Sequence, residues 1–254
     1  MSWRGGGART ALLVLGMSVV SGEAALLYVQ GADPPAPAGA GESDPTAAAR
    51  KRMVERHLVE RGIKDPRVLA AMRSVARDRF IPAEYAEHAY DDSPLPIGLS
   101  QTISQPYIVA LMSEVAVLKG NERVLEVGTG SGYQAAILSR LAAEVYTIES
   151  IAALHDRARS ILDMIGIRNV HLRCGDGSLG WPEEAPFDAI LVTAAMPGVA
   201  RALLEQLTPD GRLIAPIGEE ELQTLVRIAR RNGSWQEEYF GECRFVKMTG
   251  QHGF

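Results

Sequence analysis

The stretch from Arg123 to Tyr133 constrains the fold of this chain more than any other. Its apolar start, Val124 to Val127, is typical of a buried parallel strand, and apolar residues from Ala135 to Leu141 recur at helical spacing. The turn between them carries glycine at every second position, from Gly128 to Gly132. Glycine permits backbone angles closed to other residues and lets a ligand approach the main chain. The pattern predicts a strand, a ligand-binding loop and a helix.

The spacing of the glycines indicates the kind of ligand. Dinucleotide-binding loops have the pattern G-x-G-x-x-G, whereas this loop has G-x-G-x-G and places Tyr133 where the last glycine would stand. The bulk of Tyr133 disfavours a pyrophosphate. The next predicted strand, Glu144 to Glu149, ends in a carboxylate about 20 residues beyond the first glycine, where ribose hydroxyls are commonly bound. This context favours a nucleoside site over the alternative, a glycine-rich surface turn.

The rest of the chain alternates between strand and helix patterns. Three further apolar runs have the length of strands: 170–174, 187–193 and 211–218. The last two predicted strands, 222–230 and 239–248, have no long helix between them, so we expect an antiparallel pair at the sheet edge. Two helices, 44–62 and 65–76, are expected to cap the sheet. The sequence predicts an α/β fold with one doubly wound, mostly parallel sheet of seven strands.

The composition excludes some classes of partner. Hydrophobic residues make up 46% of the chain and charged residues 22%, which allows an ordinary buried core. The formal net charge is −5, so the chain lacks the basic footprint of a nucleic-acid-binding protein. Two cysteines, Cys174 and Cys243, lie far apart and form no metal-binding motif. We expect neither a nucleic-acid partner nor a metal site.

Hydroxyl and amide side chains crowd the stretch from Gly98 to Tyr107, just before a predicted helix. The simplest interpretation makes Ser104 the N-cap of that helix, with Pro106 in its first turn. A hydroxyl at a helix start also lies among free N–H groups suited to a carboxylate. Both interpretations stay open.

Two interpretations also apply to Asp176. It forms a tight turn, or it accepts a hydrogen bond from an adenine amino group. Its position at a strand end favours binding.

Several of these motifs together resemble one family. Gln101-Thr-Ile-Ser-Gln-Pro-Tyr107, the glycine loop, Gly175-Asp-Gly177 and Phe187 to Ala195 are similar to the signature of protein-L-isoaspartate O-methyltransferases. The resemblance covers roughly residues 46–248. It implies a class I methyltransferase fold of the Rossmann-like type and S-adenosyl-L-methionine as the cofactor. One departure is Lys247, where the family usually has proline.

The resemblance also implies roles for individual residues. Ser104 takes the place of the family's active-site serine, Glu149 would hold the ribose, and Asp176 with Gly177 would hold the adenine. No metal is implied. The expected cofactor-binding residues are Gln101, Thr102, Ile103, Ser104, Glu126, Gly128, Thr129, Gly130, Ser131, Gly132, Glu149, Asp176 and Gly177.

The implied reaction is methylation of the free α-carboxylate of L-isoaspartyl, and also D-aspartyl, residues in age-damaged proteins and peptides, which starts repair through a succinimide. A carboxylate with a pKa of about 4 is already ionised at neutral pH, so the reaction needs no strong general base. We therefore assign Ser104 to positioning the substrate. The alternative is a methyltransferase acting on RNA or a small molecule. We expect a monomer.

Residues 1–43 differ from the methyltransferase domain expected over 44–254. Arg4 and Arg9 precede a short apolar run and small residues, the layout of a signal peptide, and residues 31–45 form an Ala/Pro/Gly linker. Export or membrane contact through residues 11–29 is one interpretation; a dispensable extension is the other. Because S-adenosylmethionine is made and kept inside cells, the sequence favours a cytoplasmic enzyme.

Overall fold

The fold is built on a mixed sheet of seven strands, in the order β5-β4-β3-β6-β7-β8-β9. The computed structural model describes residues 44–231 and 233–254. The interpretations of residues 1–43 therefore lie outside the described residues. The sheet strands are β3 (Arg123–Val127), β4 (Glu144–Glu149), β5 (Val170–Cys174), β6 (Phe187–Val192), β7 (Leu207–Gly218), β8 (Gln223–Arg231) and β9 (Ser234–Cys243).

The parallel half of the sheet confirms the predicted fold class. β3 pairs in parallel with β4 on one side and with β6 on the other, and β7 continues the parallel order beside β6. The chain thus reverses its direction of travel across the sheet between β3 and β6. In open α/β sheets, ligands bind at the carboxyl ends of the strands beside such a switch point. The glycine loop follows β3 and is therefore placed there by the topology.

Helices cover both faces of the sheet. They are α1 (Ala47–Met53), α2 (Pro66–Ser74), α3 (Pro106–Val115), α4 (Tyr133–Leu138), α5 (Ala152–Met164) and α6 (Arg201–Glu205). The Asp65 side chain accepts a hydrogen bond from the Arg67 amide at 2.8 Å and caps α2, at the predicted start of that helix. α1 begins later than expected, after Thr46, and continues as a π-helical turn over Val54–Val59. None of the helices over 44–231 and 233–254 is long and apolar enough to cross a membrane.

The antiparallel edge is present, but its last strand is displaced from the prediction. β8 and β9 form a hairpin in which Arg231 pairs with Ser234, so β9 spans Ser234–Cys243 and not 239–248. The two residues between the strands read Asn-Gly, a strong hairpin signal that the prediction did not use. β7 begins at Leu207, and α6, the helix before it, covers only Arg201–Glu205.

The segment before α3 forms a hairpin of β1 (Leu95–Gly98) and β2 (Gln101–Ile103). The prediction that Ser104 caps α3 was wrong, because Gln105 occupies the N-cap position and makes no side-chain cap bond. Asp92 supplies the cap from a distance: its Oδ1 accepts a hydrogen bond from the Tyr107 amide at 3.1 Å. Among the residues that the structure describes, none forms a hydrogen bond with the Ser104 hydroxyl.

Candidate active site

A cavity opens at the carboxyl ends of β3, β4 and β6, where the topology predicts a ligand. It collects residues from the glycine loop, from β2 and the residue after it, and from the end of β4. Ten of the expected cofactor-binding residues line it: Gln101, Thr102, Ile103, Ser104, Gly128, Thr129, Gly130, Ser131, Glu149 and Gly177. The site is thus assembled from segments that are far apart in the sequence.

The glycine loop is held in a conformation that only glycine adopts easily. Gly128 has φ +102°, and a Cβ built on it would lie 2.5 Å from Oγ1 of Thr193. That hydroxyl donates to the backbone carbonyls at Val127 and Gly128, which joins the loop to the end of β6. Gly132, also at positive φ, is the N-cap of α4. The loop therefore has neither the backbone freedom nor the space for a larger residue at position 128.

Glu149 sets the polarity of the cavity at the end of β4. Its carboxylate accepts hydrogen bonds from the Gly130 amide at 2.7 Å and from the Ile151 amide at 3.0 Å. The side chain is almost wholly buried yet contributes to the cavity wall. These bonds hold an acceptor of hydrogen bonds against the glycine loop, where a ribose would present its hydroxyls.

Glu126 lies beneath the loop and not on the cavity wall. It is fully buried; its Oε2 accepts a hydrogen bond from Oγ1 of Thr147 at 2.6 Å, and that hydroxyl in turn meets Oγ1 of Thr129 at 2.7 Å. In the described part of the chain, Oε1 of Glu126 is the one buried side-chain polar atom without a partner. Burial, reinforced by the charge of Glu149, raises the pKa of Glu126 to about 8. Glu126 is therefore linked to the cavity wall by a chain of hydrogen bonds through the hydroxyls of Thr147 and Thr129.

Ser104 lies on the wall between this cavity and a neighbouring one. The neighbouring space, here called the second cavity, shares Thr102, Ser104, Thr193 and Val246 with the first. Ser104 is half-buried, and within residues 44–231 and 233–254 no group bonds its hydroxyl. Arg77 fixes the backbone there by donating to the Ser104 carbonyl at 2.8 Å. A free hydroxyl on a positioned backbone is suited to orient a reacting group.

Three expected residues do not line the cavity: Glu126, Gly132 and Asp176. Oδ1 of Asp176 accepts bonds from the amide and hydroxyl of Ser178, and its Oδ2 accepts one from the Gln251 amide at 2.9 Å. Burial alone would raise the pKa of Asp176, but these hydrogen bonds outweigh burial and lower it. Asp176 thus ties the C-terminal segment to the end of β5. Its expected hydrogen bond to adenine stays a prediction.

The cavity also contains residues that the sequence did not identify as part of the site. Thr193 and Ala194 follow β6, and the C-terminal segment contributes Val246 to Thr249. Ala195 and Lys247 form an isolated parallel bridge that carries this segment to the site. The position of Thr193 at the carboxyl end of the predicted strand 187–193 was a usable signal. The C-terminal segment had none, because its place depends on a long-range contact.

The charges of the wall fit S-adenosylmethionine better than a phosphate-bearing nucleotide. Among the described residues of the wall, Glu149 and Lys247 carry the only formal charges, and Lys247 is already paired with Glu220. A pyrophosphate would lack a free cation. A ligand with a sulfonium and an ammonium group instead benefits from the carboxylate of Glu149. The apolar side chains of Val127, Ile148 and Ile151 offer a surface for a base.

Comparison with known proteins agrees with this site. Residues 48–253 match the family model "Protein-L-isoaspartate(D-aspartate) O-methyltransferase (PCMT)". The chain belongs to the protein-L-isoaspartate O-methyltransferase family. It is 54% identical over 207 residues to the protein of that name from Geobacter metallireducens, covering 81% of this chain and 96% of the relative. It is 55% identical to protein-L-isoaspartate O-methyltransferase 2 of Geotalea uraniireducens, with 81% and 95% covered.

Solved structures of this methyltransferase family share the fold. One protein-L-isoaspartate O-methyltransferase superposes with a TM-score of 0.74 at 30% identity, covering 80% of this chain and 67% of that one. A Plasmodium falciparum protein, solved in complex with S-adenosyl-L-homocysteine, gives 0.70 at 28%, with 79% and 98% covered. Family membership favours the isoaspartyl acceptor over the RNA or small-molecule acceptors considered from the sequence. No three His, Cys, Asp or Glu side chains of the described ranges are grouped to hold a metal.

Proposed function

We propose that the cavity at β3, β4 and β6 binds S-adenosyl-L-methionine and that Ser104 presents the acceptor to it. The enzyme transfers a methyl group to the free α-carboxylate of L-isoaspartyl residues in damaged proteins and peptides, which initiates their repair through a succinimide. The observation that carries the assignment of Ser104 is its place on the wall shared by the two cavities, with a hydroxyl that bonds no other described residue.

The cofactor supplies an electrophilic methyl group on a sulfonium. Glu149 and the glycine loop orient the nucleoside, and Val127 with Ile148 packs against it. Ser104 donates a hydrogen bond to one oxygen of the acceptor carboxylate, so that the other oxygen faces the donor. No side chain has to remove a proton, because the acceptor is already an anion at neutral pH. The enzyme contributes alignment and the exclusion of water.

The test is transfer of labelled methyl from S-adenosylmethionine to a synthetic peptide that contains L-isoaspartate. The same peptide with ordinary aspartate is the matched control. Base-labile label in the isoaspartyl peptide alone is the expected result, since a backbone amide nitrogen attacks the methyl ester to close the succinimide and the label leaves as methanol. Label in neither peptide, from folded protein that still binds the donor, would reject this function.

We further propose that residues 44–254 are sufficient for catalysis and that the enzyme works as a cytoplasmic monomer. The family match, which begins at residue 48, supports the boundary. The donor's intracellular origin supports the compartment. A chain lacking residues 1–43 should retain the kcat/KM of the full chain and elute as a single subunit in size-exclusion chromatography. A loss of activity on truncation would show that the boundary is misplaced.

A further inference from the structure

We infer that the second cavity is a subsite for a bulky apolar side chain next to the isoaspartyl residue of the acceptor. This inference rests on the proposed function, because it extends the acceptor from Ser104 into the adjoining space. The second cavity has a volume of about 270 Å³ and lies between α3 and the end of β9. An apolar cavity of about 150 Å³ already accommodates benzene, so an aromatic side chain fits this space.

The composition of the walls indicates the chemical class of the side chain. Tyr107, Ile108 and Leu111 lie on one side, on α3, and Phe240 faces them from β9. All four are half-buried, so their apolar surface stays partly open in the free enzyme. Covering such surface with another apolar group is favourable in proportion to the area removed from water. A small polar side chain such as serine would cover little of this apolar surface.

Three charged side chains line the cavity: Arg61, and the solvent-exposed Glu242 and Arg244 at the end of β9 and just after it. The guanidinium of Arg61 lies over the Tyr107 ring, 3.6 Å from its centroid, and is paired with Asp92. Asp92 in turn holds Gln105 and the Tyr107 amide. The aromatic wall is therefore stiffened from behind, and Arg61 has little charge to offer to an acidic peptide. Glu242 and Arg244 are exposed, so water and salt screen their charges, and contact with the half-buried apolar wall is the larger contribution that a side chain can gain here.

Continuity with the acceptor position indicates what occupies the cavity. Thr102, Ser104, Thr193 and Val246 contribute to both cavities, so no wall of other residues separates the second cavity from Ser104. A peptide whose isoaspartyl carboxylate contacts Ser104 must place a neighbouring residue close to this opening. The acceptor itself, and not a second ligand, is the occupant.

The experiment compares isoaspartyl peptides that carry Phe or Ser at the preceding or the following position, with a glycine-flanked peptide as reference. Burial of the ring should give the Phe peptide about a tenfold higher kcat/KM than the Ser peptide at one of these positions. Leu111→Trp fills the space and Phe240→Ala removes its facing wall, so both should reduce the preference to about twofold or less. Met164→Trp, which changes an exposed residue of α5, is the matched control and should retain the full preference for the Phe peptide.

Binding of S-adenosylhomocysteine by each variant verifies that it is folded. Equal kcat/KM for Phe and Ser peptides at both positions would overturn the subsite. Retention of the full preference by both folded variants would overturn it as well. Methylation of the glycine-flanked peptide in either case would leave the proposed function intact, whereas absence of label in every isoaspartyl peptide would overturn that function and the subsite together.

Discussion

Nη1 of Arg77 donates a hydrogen bond to the carbonyl oxygen of Ser104 over 2.8 Å, from a side chain that solvent does not reach. The same guanidinium donates to the carbonyls of Ala89 and Ser93. Burial lowers the pKa of Arg77 to about 10, which still leaves it charged at neutral pH. One buried cation thus joins three loop carbonyls and fixes the backbone at the serine that we assign to the acceptor.

Two replacements of Arg77 test its contribution to stability and its contribution to catalysis. Arg77→Met leaves three carbonyls without this donor, and we expect the free energy of unfolding to fall by about 3 kcal/mol or more in denaturant titrations. The exposed neighbour Arg79 is the control, since Arg79→Met should change the free energy of unfolding by less than about 0.5 kcal/mol. Arg77→Lys keeps the charge but cannot reach all three carbonyls, so kcat should fall about tenfold while the donor Kd is kept. Wild-type kcat in Arg77→Lys would contradict a positioning role.

Ser104→Ala should weaken the use of the acceptor without changing the use of the donor. A hydrogen bond to a charged group contributes about 1.5–3 kcal/mol, which corresponds to a decrease in kcat/KM for the isoaspartyl peptide of about 10- to 100-fold. Affinity for S-adenosylhomocysteine, measured by calorimetry, should stay within about twofold. Ser160→Ala on the exposed face of α5 is the control. Full kcat/KM in Ser104→Ala would remove Ser104 from the mechanism and leave family membership untouched.

Glu126 should make the stability of the protein depend on pH. Burial raises its pKa from the ordinary value of 4.5 to about 8, so the folded protein binds a proton that the unfolded chain releases. The stabilisation is complete below pH 4.5 and is lost as the pH rises through 8. We expect the free energy of unfolding to fall by about 3 kcal/mol between pH 5 and 8, as measured by denaturant titration at each pH.

Glu126→Gln keeps the shape of the protonated side chain and cannot ionise. Its free energy of unfolding should therefore be nearly independent of pH over this range, apart from changes shared with the wild type. Equal slopes for the two proteins would show that Glu126 is ionised in the folded state and that the hydroxyl relay to Thr129 stabilises its charge.

Gly128→Ala should abolish binding of the donor. The new Cβ would lie 2.5 Å from Oγ1 of Thr193, and the alanine would have to adopt φ +102°. We expect the Kd for S-adenosylhomocysteine to rise more than about tenfold, because the loop must move to relieve the contact. Gly62→Ala is the control for backbone strain without a steric clash. Gly62 has φ +98°, and a Cβ built on it has no atom within 4 Å, so this variant should lower the stability of the protein without changing its affinity for the donor. Normal donor affinity in Gly128→Ala would show that the loop adapts.

The parts of this protein that depend on neighbouring residues in the chain were predictable from the sequence. Apolar runs of strand length, the glycines of the loop and the Asp65 cap of α2 are local features, and the structure confirms the strand, loop and helix around Gly128. The carboxylate of Glu149 also follows from spacing along one βαβ unit. Family-specific residues around Ser104 then indicated the chemistry.

The tertiary structure decided which side chains connect these segments and which are left free. Asp92, and not Ser104, caps α3, because the fold brings a carboxylate to the helix start from 15 residues away. Arg77 reaches the Ser104 carbonyl across 27 positions, and the bridge between Ala195 and Lys247 brings the C-terminal segment to the cavity. Local sequence patterns do not predict these long-range partners, because the hydrogen bonds between loops depend on how separate helices and strands pack together. The sequence by itself determined the elements and the reaction they serve; the packing of those elements determined which side chains are free to take part.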